Sequence, residues 1–331
     1  MSKDPVQAVK EVRIAITRVV ANLEKVILGK RNQLNLVLTA YLAEGHILLE
    51  DVPGVAKTML ARALARSISA NFKRIQFTPD LMPGDITGVN VFNQKTSEFE
   101  FRPGPIFCQT FLADEINRAT PRAQAALLEA MAERKISVDG QTYSLKAPFL
   151  VIATQNPVDQ EGTFPLPEAQ LDRFLIKLGL GYPSPEEEIK LLGKVQKAHP
   201  IDEIGPVISA QDWIACQEAV KEIHVDPKVR KYIVDIVNGT REHEDVALGG
   251  SPRASLALMK TAQAVAAMEG RPFVTPDDVK KMVVPVLGHR IILRPESRMR
   301  KVSVAALIKD VVADVKVPIL EETRGKDYFA D

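Results

Sequence analysis

Apolar residues recur every three or four positions near the start of the chain, which is the spacing of one face of an α-helix. The stripe consists of Val9, Val12, Ile16, Val19, Val20, Leu23 and Ile27. It predicts an amphipathic helix over residues 6–28. Gly29 interrupts the pattern, and a second helix is predicted over residues 31–43.

Four short apolar runs follow, and each is ended by a turn or a helical stretch. They read HILLE from His46, FKRIQF from Phe72, TFLADE from Thr110 and PFLVIAT from Pro148. Helical stretches over residues 58–69 and 121–134 alternate with these runs. Strands that alternate with helices form parallel sheets, whose strands are buried on both sides. The pattern therefore predicts an α/β fold, with a parallel sheet covered by helices on both faces.

Two segments depart from this alternation and are predicted to be inserted hairpins. One reads VNVFNQKTSEFEFRPGPIF from Val89 and alternates weakly around a polar tip. The other reads KISVDGQTYSLKAPF from Lys135 and contains Asp139-Gly140, a strong hairpin-turn signal. Both segments are compatible with hairpins that protrude from the surface and with edge hairpins that only cover the sheet.

The pattern changes at GYPSPEEE from Gly181, where two prolines mark a boundary. We expect two domains. Residues 1–182 would hold the N-terminal helix, the α/β core and the hairpins, and residues 183–331 a smaller all-helical domain with a C-terminal tail. The candidate helices of the second domain, several opened by Ser or Asp followed by Pro, cover residues 185–198, 210–223, 227–241, 252–269 and 276–288.

Composition narrows the class of protein. The chain has 331 residues, of which 46% are hydrophobic, so it can bury an ample core. Its 43 Lys and Arg balance 42 Asp and Glu, so no bulk field draws it to nucleic acid or anionic lipid. The two cysteines, Cys108 and Cys216, lie in apolar surroundings and are predicted to be buried thiols. No signal-peptide or transmembrane pattern is found in the sequence, which favours a cytoplasmic protein.

The stretch DVPGVAKT, residues 51–58, comes close to the phosphate-loop signature G-x-x-x-x-G-K-[ST]. In that signature, backbone N–H groups cradle phosphates, the lysine reaches the outer two, and the hydroxyl binds magnesium. Lys57 and Thr58 are present, and Pro53-Gly54 forms a turn pair, but Asp51 and Ala56 occupy the two glycine positions. By itself the stretch is also compatible with an ordinary strand-turn-helix unit that carries a lysine.

Polar side chains follow two later apolar runs. Asp114 and Glu115 end the run at 110, and Asn156 follows the run at 148. Asp114 could bind magnesium, Glu115 could orient and deprotonate a water molecule, and Asn156 could position that water or touch the outermost phosphate. The alternatives are solvated acids at a strand end and an Asn-Pro turn.

Two arginines complete the candidate set. Arg173 precedes the apolar run at 174, where its fixed charge could be inserted into a neighbouring subunit's site. Arg253 lies in the first turn of a predicted helix of the second domain and could reach phosphates. Both arginines are also compatible with plain surface positions.

The order of these motifs resembles AAA+ ATPases, and more narrowly the MoxR family. The likeness is carried by DVPGVAKT, LADEINRATPRAQAALLEAM, IATQNPVDQEGTFPLPEAQLDRF and SPRAS, and it extends from about Gly29 to about Pro295. The resemblance implies an α/β phosphate-loop domain followed by a helical lid.

The resemblance also implies a role for each candidate. ATP and Mg²⁺ are the expected ligands, with Thr58 and Asp114 as metal ligands. Glu115, Asn156 and Arg173 are expected to be catalytic, as base, first sensor and finger for the adjacent subunit. Arg253 is the expected second sensor. The remaining nucleotide-binding residues would be Pro53, Gly54, Val55, Ala56, Lys57 and Met59.

MoxR-type loops resemble this one in having alanine before the lysine, so Ala56 is a family variant. Asp51 is the larger departure, and its carboxylate is expected to point away from the nucleotide. Two roles remain open for Arg118 and Arg122: they could face a neighbouring subunit, or they could be solvated charges of a helix.

The resemblance implies an ATP-driven, chaperone-like remodelling protein that forms a homo-oligomer, with a hexameric ring as the expected form. Its client would be another protein, with a metalloenzyme matured beside a von Willebrand A-domain partner as one candidate. Two alternatives are a nucleic-acid motor, which the balanced charge disfavours, and a nucleotide-gated scaffold with little turnover. We expect no nucleic-acid partner. A guanine-reading Asn-Lys-x-Asp stretch is not found in the sequence, which disfavours a GTPase switch.

Overall fold

The structure, a computed structural model, describes residues 5–156, 162–196 and 200–319, without the side chains of Pro5 and Val195. Contacts divide the chain into two compact units. The sheet unit is Ala15–Ala215, and the helical unit is Met1–Ile14 together with Cys216–Asp331. The domain boundary expected between residues 182 and 183 stays a prediction. Among the described residues, no helix combines the length and apolar character needed to cross a membrane.

The sheet unit is built on five parallel strands. They lie in the order β2-β5-β8-β1-β9, so β8 separates β1 from β5. All residues of β5 are buried, as are all but the last of β8, which confirms the parallel sheet expected from their apolar runs. The strands are β1 (Ile47–Glu50), β2 (Phe72–Gln76), β5 (Thr110–Asp114), β8 (Leu150–Gln155) and β9 (Ile176–Leu178).

Helices pack against this sheet, and a continuous apolar core fills the space between α5 and the strands. The predicted helices over 6–28 and 31–43 are present but end earlier. The helices of the sheet unit are α1 (Pro5–Leu23), α2 (Arg31–Leu42), α3 (Lys57–Ser67), α4 (Pro83–Thr87), α5 (Pro121–Glu133), α6 (Glu168–Leu171), α7 (Pro185–Val195) and α8 (Ala210–Lys221), of which α1 and α8 run across the division between the units. The end of the helix predicted over 185–198 lies outside the described residues.

Strand β2 differs from the buried strand that its sequence suggested. It lies at an edge of the sheet, and Lys73, Arg74 and Gln76 are exposed. An edge strand has a neighbour on one side only, so polar side chains are tolerated there. This leaves Arg74 and Gln76 available to the end of β5.

Both inserted hairpins are present. The first joins β3 (Gly88–Asn93) to β4 (Glu98–Pro103), and the second joins β6 (Lys135–Val138) to β7 (Gln141–Ser144). The two hairpins touch, since the ring of Phe101 stacks on Tyr143 at 4.1 Å and Asn90 donates to Asp139. Farther along the same face of the first hairpin, Phe92 and Phe99 form an exposed aromatic pair.

In the helical unit, helices α9, α10 and α11 pack on one another, and α13 packs on α9 and α11. Among the described residues of this unit, the β-structure consists of a short antiparallel pair, β10 with β11, and an isolated bridge between His224 and Phe273. The predicted helices over 227–241, 252–269 and 276–288 are all present. The elements are α9 (Pro227–Glu242), β10 (Val246–Leu248), α10 (Pro252–Met268), α11 (Pro276–Leu287), β11 (Ile292–Leu293), α12 (Pro295–Met299) and α13 (Val304–Asp314).

Both cysteines, Cys108 and Cys216, are buried free thiols, as predicted. Burial raises the pKa of the Cys108 thiol to about 12, so this group is an unreactive part of the core.

His46 lies just before β1 and is buried in its neutral form. Its Nε2 donates to Met131 O at 3.1 Å, and its Nδ1 accepts from Val151 N at 3.0 Å. These two bonds fix the tautomer, because the neutral ring has one donor and one acceptor. Burial lowers the pKa of His46 from 6.5 to about 4.

This pKa shift predicts acid sensitivity of the sheet unit. Above pH 6.5 the ring is neutral in both states, whereas between pH 6.5 and 4 only the unfolded chain takes up the proton. The free energy of unfolding should therefore fall through this window by up to roughly 3 kcal/mol more in wild type than in His46→Gln. Denaturant titrations at several pH values would measure the difference. Parallel curves for the two proteins would contradict the assignment.

Candidate active site

The phosphate loop, residues 51–58, leaves β1 and enters α3. Its backbone explains the glycine pattern, because Ala56 adopts a left-handed conformation with φ 64°. Glycine is the residue that takes this conformation without strain, and alanine there costs about 1 kcal/mol. Ala56 provides no side-chain cap for α3, so the first N–H groups of this helix are available to an anion.

Lys57 is the first residue of α3. Its Nζ donates to the backbone oxygen of Asp51 at 2.8 Å, so the ammonium group bends back over its own loop. The side chain is therefore held at the loop where the phosphate-loop signature requires a cation.

The carboxylate of Asp51 is fully engaged with backbone. Its Oδ2 accepts from the N–H groups of Leu180 at 2.6 Å and Gly181 at 2.7 Å, and its Oδ1 accepts from Val52 at 3.0 Å. The side chain thus lies against the chain that leaves β9. The expectation that it turns away from a bound nucleotide stays a prediction. Asp51 joins the phosphate loop to the end of β9.

Removing this carboxylate should destabilise the sheet unit. Hydrogen bonds to a charged group are each worth more than neutral ones, so Asp51→Ala is expected to lower the free energy of unfolding by about 2 kcal/mol. Denaturant titration would measure the loss. Asp235→Ala is the control, because it removes an exposed ion pair with Lys231 and should change stability by less than about 1 kcal/mol. Equal stabilities of the two variants would disprove the anchoring role.

Asp114 ends β5 and is buried. Its Oδ1 accepts from the Thr154 hydroxyl at 2.6 Å, and its Oδ2 accepts from Arg74 at 2.7 Å (Nη2) and 3.0 Å (Nε). Arg74 belongs to the neighbouring strand β2, whose register brings it beside β5. The carboxylate is therefore charge-balanced and held in one orientation.

Glu115 follows in a left-handed conformation with φ 58°. Its backbone N donates to Thr154 Oγ1 at 2.9 Å. Its Oε2 accepts from Gln76 Nε2 at 2.7 Å and lies 3.3 Å from Arg118 Nε. Arg118 thus contacts the acidic pair of its own chain. A strained backbone persists only where its surroundings hold it, and here both the main chain and the carboxylate are held.

Asn156 follows β8 directly and is buried. Because β8 lies between β1 and β5, Asn156 leaves the sheet between the phosphate loop and the acidic pair. Ligands of parallel sheets bind beyond the carboxyl ends of the strands. Three of the predicted elements, the loop, the acidic pair and Asn156, therefore share one edge of the sheet, namely the edge formed by the carboxyl ends of its strands.

Arg173 does not share that edge. It precedes β9, which is parallel to β1, so it lies at the amino end of the sheet. Its Nη1 donates to Leu128 O at 2.6 Å, against α5. Arg253 lies in the first turn of α10 in the helical unit, where its backbone N–H is capped by Ser251. Its role as second sensor stays a prediction, and Arg122 is an exposed residue of α5.

Sequence reasoning missed Arg74, Gln76 and Thr154, which hold the acidic pair. The available signal was weak. Arg74 and Gln76 alternate along β2 and so share a face, and Thr154 is a hydroxyl residue in an otherwise apolar run. Their role depends on β2 and β8 flanking β5, which the sequence does not state.

Comparison with known proteins agrees with this geometry. Residues 46–176 match the ATPase family associated with various cellular activities (AAA), and residues 238–311 match the AAA lid domain. The chain is 53% identical to the uncharacterized protein YeaC of Bacillus subtilis over 91% of this chain and 94% of that one.

Two further comparisons extend over nearly the whole chain. The chain is 40% identical to chaperone MoxR1 of Mycobacterium tuberculosis, covering 92% of this chain and 82% of that one. A solved structure of a putative ATPase from Cytophaga hutchinsonii superposes with a TM-score of 0.89 at 36% identity, over 95% of this chain and 98% of that one. With its phosphate loop, acidic pair and helical AAA lid, the chain therefore belongs to the MoxR family of AAA+ ATPases.

Proposed function

We propose that this chain is a cytoplasmic, Mg²⁺-dependent ATPase that assembles into a ring and uses ATP hydrolysis to remodel a client protein. The observation that carries the proposal is the held acidic pair at the same edge as the phosphate loop. Phosphoryl transfer depends mainly on positioning and charge neutralisation, which is what this arrangement supplies.

Each residue has a separable task in this proposal. Lys57 and the first N–H groups of α3 bind the triphosphate. Glu115 accepts the proton of the attacking water, and Asn156 orients that water. The hydroxyl of Thr58 and the carboxylate of Asp114 are the hard oxygen donors that would hold Mg²⁺, which neutralises charge on the phosphates when bound.

Arg173 supports the assembly part of the proposal. It lies at the amino end of the sheet, opposite its own phosphate loop, so it can complete a site only on another subunit. Head-to-tail contacts of this kind form a ring when the rotation from one subunit to the next closes on itself. We propose a client protein as the substrate of the motion, with a metalloenzyme and a von Willebrand A-domain partner as the specific candidate.

Purified chain should hydrolyse ATP with Mg²⁺, lose this activity in chelator, and sediment as an oligomer when nucleotide is present. Capture with Glu115→Gln in ATP should then recover the client protein. The same variant in ADP is the control. A monomer in ATP would contradict the ring. Hydrolysis stimulated by single-stranded DNA and weakened by salt would instead favour a nucleic-acid motor.

A further inference from the structure

Gln124 is a fully buried amide close to the acidic pair. It lies in α5, and Ile116, Ala119, Ala123 and Leu127 around it are also fully buried. A polar group in such surroundings is costly unless it is hydrogen-bonded. The partners of this amide therefore indicate what it does.

Its Nε2 lies within hydrogen-bond distance of three backbone oxygens. These are Ile116 O at 3.1 Å, Ala119 O at 3.1 Å and Phe164 O at 2.9 Å. Three carbonyl acceptors leave only one orientation of the amide, with the nitrogen toward them. Within the described part of the chain, Oε1 has no hydrogen-bond partner, so the amide is held by its nitrogen.

Two of these carbonyls bracket the turn that follows Glu115. The turn is a single 3₁₀ helix, Ile116–Arg118, which begins at the left-handed backbone of Glu115. Thr154 holds the N–H group of Glu115 from one side, and Gln124 holds the carbonyl of the next residue from the other. The peptide between these two groups is held within the turn itself, since Arg118 N donates to Glu115 O at 2.9 Å. Gln124 thus holds the peptide one residue beyond Glu115, and with it the turn that sets the direction of the Glu115 side chain.

The third carbonyl connects the turn to the chain that returns from β8. Phe164 N donates to Asn117 O at 2.6 Å, and Phe164 O accepts from Gln124. Phe164 lies eight positions after Asn156 along the sequence. Gln124 therefore ties the turn of the acidic pair to the segment that follows the predicted sensor.

We propose that Gln124 is a positioning residue for the hydrolytic step, and that it acts on Glu115 through the backbone of the 116–119 turn. This role depends on the proposed function, in which Glu115 is the catalytic base. Small displacements of a catalytic group reduce the rate strongly, whereas nucleotide binding depends on the separate phosphate loop.

Gln124→Met keeps the volume and removes the donors. Its kcat for ATP hydrolysis should fall about 10- to 100-fold. The dissociation constant for a fluorescent ATP analogue should stay within about threefold of wild type, because the phosphate loop that binds the nucleotide is unchanged. Gln124→Asn, which retains a shorter amide, should show a smaller fall in kcat and serves if the methionine variant does not fold.

The matched control is Gln263→Met. Gln263 is also a buried glutamine, and its Nε2 donates to Lys221 O and Ile223 O in the helical unit. This variant should lose thermal stability as Gln124→Met does but keep kcat within about twofold of wild type.

A second readout is coupling to the catalytic carboxylate. In a Glu115→Asp background the carboxylate is already displaced, so adding Gln124→Met should lower kcat by less than about threefold. Additive effects, unchanged kcat in Gln124→Met, or an equal fall in Gln263→Met would overturn the proposal. A wild type that binds ATP without hydrolysing it would instead overturn the proposed function.

Discussion

Glu115→Gln is expected to lower kcat for ATP hydrolysis by about 10²- to 10⁴-fold while ATP stays bound. The amide cannot accept the proton of the attacking water. The fold should persist, because the Glu115 main chain is held by Thr154 whatever the side chain, and the new amide oxygen can still accept from Gln76. Single-turnover hydrolysis and nucleotide content after gel filtration would measure the two effects.

Glu44→Gln is a close control for this variant. Glu44 is also a partly buried glutamate with positive φ and an arginine partner, Arg134 at 2.9 Å, but it precedes β1 at the amino end of the sheet. Its kcat should stay within about twofold of wild type. If wild type and both variants hydrolyse ATP equally slowly, Glu115 is not acting as the base and a scaffold with little turnover becomes the better description.

Arg173→Ala is expected to lower kcat by about 10³-fold in the assembled protein, with ATP affinity little changed. The guanidinium is anchored to Leu128 O by one hydrogen bond, and its other N–H groups can face the spread charge of a neighbour's transferring phosphoryl group. Losing that one bond costs only about 1 kcal/mol, so the variant should fold. Steady-state kinetics above the assembly concentration would measure the loss.

Mixing two inactive variants tests whether the site is shared. An Arg173→Ala subunit keeps its pocket, and a Glu115→Gln subunit keeps its arginine. Random head-to-tail assembly should complete about a quarter of the interfaces and restore that share of activity. Arg230→Ala is the control, since Arg230 is an exposed arginine that also donates to one backbone oxygen, Val225 O. No recovery after verified subunit exchange would show that Arg173 does not act across subunits.

The sequence predicted the features that depend on local pattern. Continuous apolar runs predicted β5 and β8 because strands buried on both faces need apolar side chains throughout. Asp139-Gly140 predicted the second hairpin because its turn requires positive φ, which both residues adopt. The acidic pair was found because it ends such a run.

The features that depend on strand order could not be predicted. Arg74 and Gln76 contact the acidic pair only because β2 lies beside β5, although β5 is not the next strand along the chain. The three acceptors of Gln124 likewise come from turns brought together by folding. The sequence showed that Asp51 replaces the first glycine of the phosphate-loop signature. It could not show the hydrogen-bond partners of Asp51, because Leu180 and Gly181 are about 130 residues away along the chain.

The stack of Phe101 on Tyr143 and the hydrogen bond from Asn90 to Asp139 link the two hairpins into one arm, so that a movement of one hairpin would displace the other. The second hairpin lies between α5 and β8 in the chain. It is therefore attached to the helix that carries Gln124 and to the strand that leads to Asn156. The arm's outer end bears the exposed rings of Phe92 and Phe99. The second hairpin is attached at the end of α5 and at the amino end of β8, so a displacement of either element would be passed along the arm to Phe92 and Phe99.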